Sequence, residues 1–331
     1  MNDVRAAIDR WRARGERVAL ATVVATRRSA PRPVGSKLAV AESGELFGSV
    51  SGGCVESDVA VQAAEVIASG APRLLSYGIA DEQAWEVGLP CGGEIDVFVH
   101  RLDGELPDPT EPGVALTVLE GEHAGERRLR PPEAIEAGPS RMLELEGETV
   151  FAEVLGPPPR VVVFGAVDTA EALCRAADLL GWRSVVVDAR PGLATPERLP
   201  SAGELLVAWP EEALERLRPD ADTAILVLTH EDRFDIPALK GALESNAFYV
   251  GALGSRRNQA RRRERLLEEG LPEESIDRIA GPSGLDIGAE SPAETALSIL
   301  AEILARRAGR SGGPLKEARG RIHAAAEQQP A

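Results

Sequence analysis

The chain is poor in sulfur and aromatics: 331 residues hold three cysteines, two methionines and 4% Phe, Trp and Tyr together. Three thiols cannot build the disulfide framework of a secreted mini-protein, and Met1 to Arg17 is charged and polar, without the apolar core of a signal peptide. The expectation is a cytoplasmic protein whose thiols stay reduced. No apolar run approaches the roughly 20 residues of a bilayer span. Basic charge is also scarce, 37 Lys+Arg against 53 Asp+Glu, for a net charge of −16. Such a surface repels phosphodiester backbones and anionic lipid, so neither nucleic acid nor membrane is an expected partner. What is present is ordinary for a globular protein, 44% hydrophobic and 27% charged residues. The length suits two domains at roughly 150 residues each.

The first part reads as mixed α/β. Val18 to Thr26 is a continuous apolar and β-branched run, expected as a buried strand. Pro31, Pro33 and Gly35 break it. Ser36 to Ala41 and Glu45 to Val50 form a hairpin pattern around Ser43-Gly44, Val55 to Ala68 carries a helical stripe, and Arg73 to Tyr77 and Glu94 to His100 complete the strands. Residues 1–105 are taken as an N-terminal domain. A β-rich extension over 106–159 follows, ending in the hinge Gly156-Pro157-Pro158-Pro159. From Arg160 the pattern changes to strands alternating with helices, which implies right-handed crossovers and a Rossmann-like parallel sheet over 160–310, with a tail at 311–331. The helix Ala293 to Arg306 places Ala296, Leu297, Leu300, Ile303 and Leu304 toward that sheet.

Two thiols sit in glycine-rich turns, Ser51-Gly52-Gly53-Cys54-Val55-Glu56 and Leu89-Pro90-Cys91-Gly92-Gly93-Glu94. Glycine lets main chain approach a ligand, and Cys54 opens a helix, where partial positive charge favours thiolate. A thiolate binds soft metal, accepts sulfur or attacks an electrophile; the alternative is a small apolar residue filling space beside a turn. Cys174, mid-helix among alanines and Leu173, reads as core. Arg27, Arg28, Arg32 and Lys37 surround the proline loop, as a phosphate or pterin grip or as a solvated loop.

In the second domain, Gly165 to Ala170 occupies the first β–α turn, where dinucleotide folds carry G-x-G-x-x-G, and Asp188 stands where such folds hold ribose. Val167 replaces the second glycine and would obstruct pyrophosphate, so NAD(P) is weakly signalled. His230 follows the fourth strand as a proton-transfer group, an anion donor or a turn cap. Gly254, Ser255, Arg256 and Arg257 run from strand into helix and form a basic cluster suited to a phosphorylated ligand. Asp286, in Gly284 to Ala289, either faces the same edge or belongs to a structural turn.

Together these residues resemble the XdhC/CoxI family, the maturation factors of xanthine dehydrogenase and carbon monoxide dehydrogenase. The resemblance runs from about Ala19 to Gly313. Its matching stretches include Ser49 to Glu56, Cys91-Gly92-Gly93 and Val227 to His230, and the block Tyr249 to Arg257 with the later Leu285 to Ala289 is the specific one. It implies a protein that binds molybdenum cofactor, works with a cysteine desulfurase or sulfurtransferase to exchange an oxo for a sulfido ligand, and delivers the product to a molybdenum hydroxylase, as a homodimer. It implies Cys54 and Cys91 at the molybdenum or its sulfur, and Arg256 and Arg257 on the pterin phosphate. It implies a binding and insertion chaperone rather than a turnover enzyme. Arg28 stands where the family commonly has glycine, and Asp168 where histidine is usual. The rival expectation is an NAD(P)-dependent oxidoreductase with Asp188 on ribose and His230 as acid/base; a thiol redox protein pairing Cys54 with Cys91 is a third.

Overall fold

The computed structural model describes residues 4–28, 30–78 and 93–319. Cys91 and Gly92 lie outside them. The chain divides into two compact units, Met1–Pro157 with Ala318–Ala331, and Pro158–Glu317. A mixed α/β unit with antiparallel sheets precedes a parallel Rossmann-like one, the fold class expected from the alternation of patterns.

The first unit opens with helix α1 (Arg5–Ala13), in a segment whose sequence shows mainly charge and polarity. Its signal is sparse but physical: Val4, Ile8 and Trp11 recur at helical spacing and are buried. Strands β1 (Val18–Arg27), β2 (Lys37–Ala41), β3 (Leu46–Gly48), β4 (Arg73–Tyr77) and β5 (Glu94–Arg101) form a sheet of order β3-β2-β1-β5-β4, antiparallel throughout. The run in β1 is unbroken because both faces are covered. Ala19, Ala21 and Val23 pack on helix α2 (Glu56–Ser69), while Val18 and Leu20 pack on α1. A second antiparallel sheet contains β6 (Gly113–Val118), β7 (Arg127–Arg130), β8 (Arg141–Leu145) and β9 (Glu148–Leu155), in the order β7-β6-β9-β8. Val24 and Phe98 from the first sheet meet Leu119 and Phe151 from the second.

The second unit contains β10 (Arg160–Phe164), α3 (Asp168–Leu179), β11 (Arg183–Val187), β12 (Glu204–Leu206), α4 (Pro210–Leu217), β13 (Thr223–Val227), α5 (Asp232–Glu244), β14 (Tyr249–Ala252), α6 (Arg256–Glu268), α7 (Glu273–Ile276), β15 (Ile279–Ala280) and α8 (Pro292–Arg307). The sheet order is β12-β11-β10-β13-β14-β15, all parallel, so strand order reverses between β10 and β13. Alternate residues feed two cores. Val161 and Val163 face Leu173, Cys174, Ala177 and Ile299, whereas Val162 and Phe164 face Leu239, Ala242 and Leu266. Within α8 the buried face is Ala296, Ile299, Leu300 and Ile303; Leu297 and Leu304, expected on it, are exposed because the contact with α3 narrows the stripe. No helix among the described residues is long and apolar enough to cross a membrane.

Candidate functional site

Antiparallel pairing gathers several loops at one end of the first sheet. Arg27 pairs with Glu94, Tyr77 with Ile95, Thr22 with Lys37, and Leu38 with Gly48. The loop carrying Arg28 and Arg32, the segment Ser49 to Val55, and Gly93 therefore leave the sheet at the same end. Two of the thiol-turn glycines, Gly52 and Gly53, have left-handed backbone, φ 82° and 114°, and open space where a Cβ would stand. They serve the sign of φ, which other residues rarely adopt.

Cys54 is exposed at the head of α2. Beneath it Ser51, buried, accepts from the Cys54 and Val55 N–H groups at 2.9 and 3.0 Å. The Glu56 carboxylate turns back under this segment. It accepts from the Ser49 hydroxyl at 2.6 Å and from the amides of Val50, Ser51, Gly52 and Gly53 at 3.1, 2.8, 3.1 and 2.8 Å, and also from the Ser51 hydroxyl. Burial acts against its charge, but the bonds from Ser49, Ser51 and main chain prevail and lower the carboxyl to about 2. Glu56 is not among the residues that sequence reading singles out. Its signal is two serines followed by glycines and a carboxylate five residues after Ser51, wider than a capping box.

Cationic groups flank this end. The Arg27 guanidinium donates to buried Asp96 at 2.9 Å, and Asp96 also accepts from Ser76 at 2.7 Å. Arg28 is exposed, 3.8 Å from Glu94, and has φ 61°. That left-handed backbone explains why glycine suits this position. Arg32 is exposed and makes no ion pair among the described residues. No group of three or more His, Cys, Asp and Glu that could hold a metal ion occurs among the described residues.

In the second unit, Gly165, Asp188, His230, Gly254, Ser255, Arg256, Arg257 and Asp286 all lie along the carboxyl edge of the parallel sheet. Gly165 has φ 118°, and a Cβ there would stand 2.6 Å from the Thr229 methyl group. Asp188 is buried. Its oxygens accept from the Ala166 and Arg190 amides at 2.9 Å each and from the Arg190 guanidinium at 2.8 Å. Burial opposes its charge, yet the bonds to Arg190 and Ala166 hold the carboxyl below its ordinary range. The acid expected on ribose is thus already engaged by its own neighbours. His230 is exposed and its ring borders Gly254, 3.4 Å from where a Cβ would lie. Ser255 caps α6 by accepting from the Asn258 amide at 3.3 Å. Arg256 and Arg257 are exposed without an ion pair among the described residues, whereas Arg261 pairs with Asp232 and Arg265 with Glu268.

The residue missed here is Arg262, 3% exposed, salt-bridged to fully buried Asp235 at 2.6 Å. Its guanidinium also donates to the Thr229 and Leu253 carbonyls at 2.7 and 2.6 Å, tying the ends of β13 and β14 together under His230 and Gly254. The four-residue spacing of its neighbours disguises it as one more surface arginine. Asp286 is exposed in the loop after β15, which Ser283 fastens to the Ala252 carbonyl at 3.1 Å.

The chain is similar to known proteins along most of its length. Residues 11–78 match the XdhC and CoxI family, and residues 161–303 match the XdhC Rossmann domain. The chain is 30% identical over 298 residues to the molybdenum cofactor insertion chaperone PaoD of Escherichia coli, covering 88% of this chain and 84% of PaoD. It is 30% identical over 316 residues to a Bacillus subtilis protein described as a probable xanthine dehydrogenase subunit, with 88% and 94% covered. A crystal structure described as a xanthine dehydrogenase from Bacillus halodurans superposes with a TM-score of 0.74 at 27% identity, over 94% of this chain and 97% of that one.

Proposed function

The chain belongs to the XdhC and CoxI family, and from that premise we propose that it is a maturation factor that binds molybdenum cofactor and hands it to a molybdenum hydroxylase of the xanthine or carbon monoxide dehydrogenase type. The observation that carries the reading is an exposed thiol, Cys54, on a turn with arginines at the same end of the sheet, in an acidic chain. The cofactor is cargo. Its molybdenum and sulfur are soft and suit a thiolate, and its phosphate suits guanidinium.

In this mechanism Cys54, with Cys91, contacts the metal or its incoming sulfur, while Gly52 and Gly53 keep the main chain beside it bare of side chains. Arg32 is the phosphate grip of the first unit, and Arg256 and Arg257 form a separate one at the parallel-sheet edge of the second. His230, Gly254 and Ser255 complete the second surface, with Asp286 at its rim. A cysteine desulfurase or sulfurtransferase supplies sulfane sulfur, a thiol reductant supplies two electrons, and the displaced oxo ligand leaves with two protons as water; the working form is a homodimer in the cytoplasm.

The test is co-expression with molybdopterin synthesis intact, followed by measurement of bound molybdenum and pterin and of client activation. The parent protein is expected to carry both. Replacing Arg256 and Arg257 together by alanine is expected to weaken pterin retention about tenfold or more, the scale of losing charged hydrogen bonds to phosphate. A Cys54→Ser protein that retains full load and still activates its dehydrogenase would remove the thiol from the mechanism. Titration with NADH and NADPH addresses the oxidoreductase alternative, for which micromolar binding is the required result.

A further inference from the structure

We propose that Glu56 is the positioning residue of the thiol turn: its negative charge, acting through the amides of residues 50–53, holds Cys54 presented to cargo. The inference rests on the reading that Cys54 handles the cargo. Successive amides on left-handed and turn backbone form a concavity that ordinarily takes an external anion. Here six donors already converge on a carboxylate of the same chain, two serine hydroxyls and four main-chain N–H groups.

Two consequences follow from the chemistry of those donors. First, the turn is not a phosphate cradle, because its amides are spent; phosphate recognition falls to arginine side chains. Second, charge rather than shape is what the turn needs. An amide in place of the carboxylate turns one acceptor into a donor, facing N–H or hydroxyl groups it cannot satisfy. Gly52 and Gly53, with open space beside their α-carbons, have no side-chain packing of their own to hold φ at 82° and 114°. Their order depends on the carboxylate, aided at Gly52 by the Ser49 hydroxyl oxygen, which accepts from the Gly52 amide at 2.8 Å. Ser51 couples the same network to the thiol residue, since its O–H donates to Glu56 while its oxygen accepts from the Cys54 amide.

The experiment uses the full chain and the variants Glu56→Gln, Cys54→Ser and their combination. Amide exchange in peptides spanning residues 49–55 is expected to accelerate about tenfold or more in Glu56→Gln. Exchange elsewhere in the first unit should be unchanged. The rate of Cys54 alkylation by iodoacetamide should shift at least about threefold, a readout that a purely stabilising residue would not move while the fold persists. Cargo load should fall in Glu56→Gln, and the combined variant should carry no less than Cys54→Ser alone, since both act on one element. Exchange and alkylation within about twofold of the parent overturn the inference. If Glu56→Gln does not fold, Ser49→Ala removes one donor to the carboxylate together with the acceptor of the Gly52 amide, so the reading is taken at Val50, Ser51 and Gly53, with about threefold faster exchange expected there and unchanged exchange overturning the proposal. Full load in Cys54→Ser instead overturns the functional reading and leaves the exchange and alkylation criteria for Glu56 standing.

Discussion

Glycine is used in opposite ways at the two ends of strand that carry the candidate residues. At Gly52 and Gly53 a methyl group would meet nothing within 4 Å, and the backbone sign alone demands glycine. At Gly165 and Gly251 the demand is proximity. A Cβ on Gly165 would strike Thr229 at 2.6 Å, and one on Gly251 would lie 2.6 Å from the Tyr249 ring and 2.9 Å from Leu226. Charge follows the same division. Glu56 sits in a half-exposed turn on amides, while Arg262 and Asp235 are sealed together between strand ends. The thiol end is therefore an ordered but open surface, and the parallel-sheet edge is a packed one. Similar glycine-rich sequence does not mean similar architecture.

The largest test of this contrast is Asp235→Ala, which strands a buried guanidinium. A loss of about 3–5 kcal/mol in urea unfolding of the second unit is expected. Substituting Gly165 by alanine combines strain with overpacking and should cost about 2–4 kcal/mol. Gly52→Ala carries only the backbone penalty of about 1–2 kcal/mol. Equal costs would break the distinction between the two uses of glycine. Acid sharpens it further in the first unit. Burial, then the Arg127 charge, pushes His100 down from 6.5 to about 4, so the folded state holds this ring neutral where the unfolded chain protonates it. Stability should fall as pH drops from 6.5 toward 4, by no more than about 3 kcal/mol, and His100→Gln should flatten that slope. A last comparison sets two serines side by side, one buried in the thiol turn and one capping α8. Ser51→Ala empties a buried position with three hydrogen bonds and should cost about 2 kcal/mol. Ser291→Ala, at the exposed capping box of α8, should cost about 1 kcal/mol in thermal unfolding.

Much of the architecture was legible because periodicity reports burial. Val161 to Phe164 is apolar at every position, and both faces of β10 are covered. Val55 to Ala68 marks α2 to within a residue or so of its ends. Short elements escaped. Strands β7 and β15 are four and two residues long, too brief for a pattern, and Arg127–Arg130 offers mostly charge. Helix α1 buries Ala7, Ile8 and Trp11 between arginines and an aspartate that mask its stripe. The positions of the candidate residues were legible by type and turn: Cys54 stands at the head of α2, Asp188 at the end of β11 and His230 after β13. Their supports were not, because Glu56, Arg190 and Arg262 act through partners that folding brings together. Asp188 shows the limit: its place at the end of β11 was readable, but its engagement by Arg190 depends on a side-chain conformation.

The contact between Gly165 and Thr229 has one more implication. Strand order reverses between β10 and β13, the place where parallel sheets of this kind usually part to form a furrow. Here a threonine methyl lies against bare α-carbon, and the Leu228 amide still reaches the Phe164 carbonyl at 2.9 Å. The seam is zipped shut. With no side chain between these two turns, alanine at residue 165 would have to lever them apart before the sheet could close.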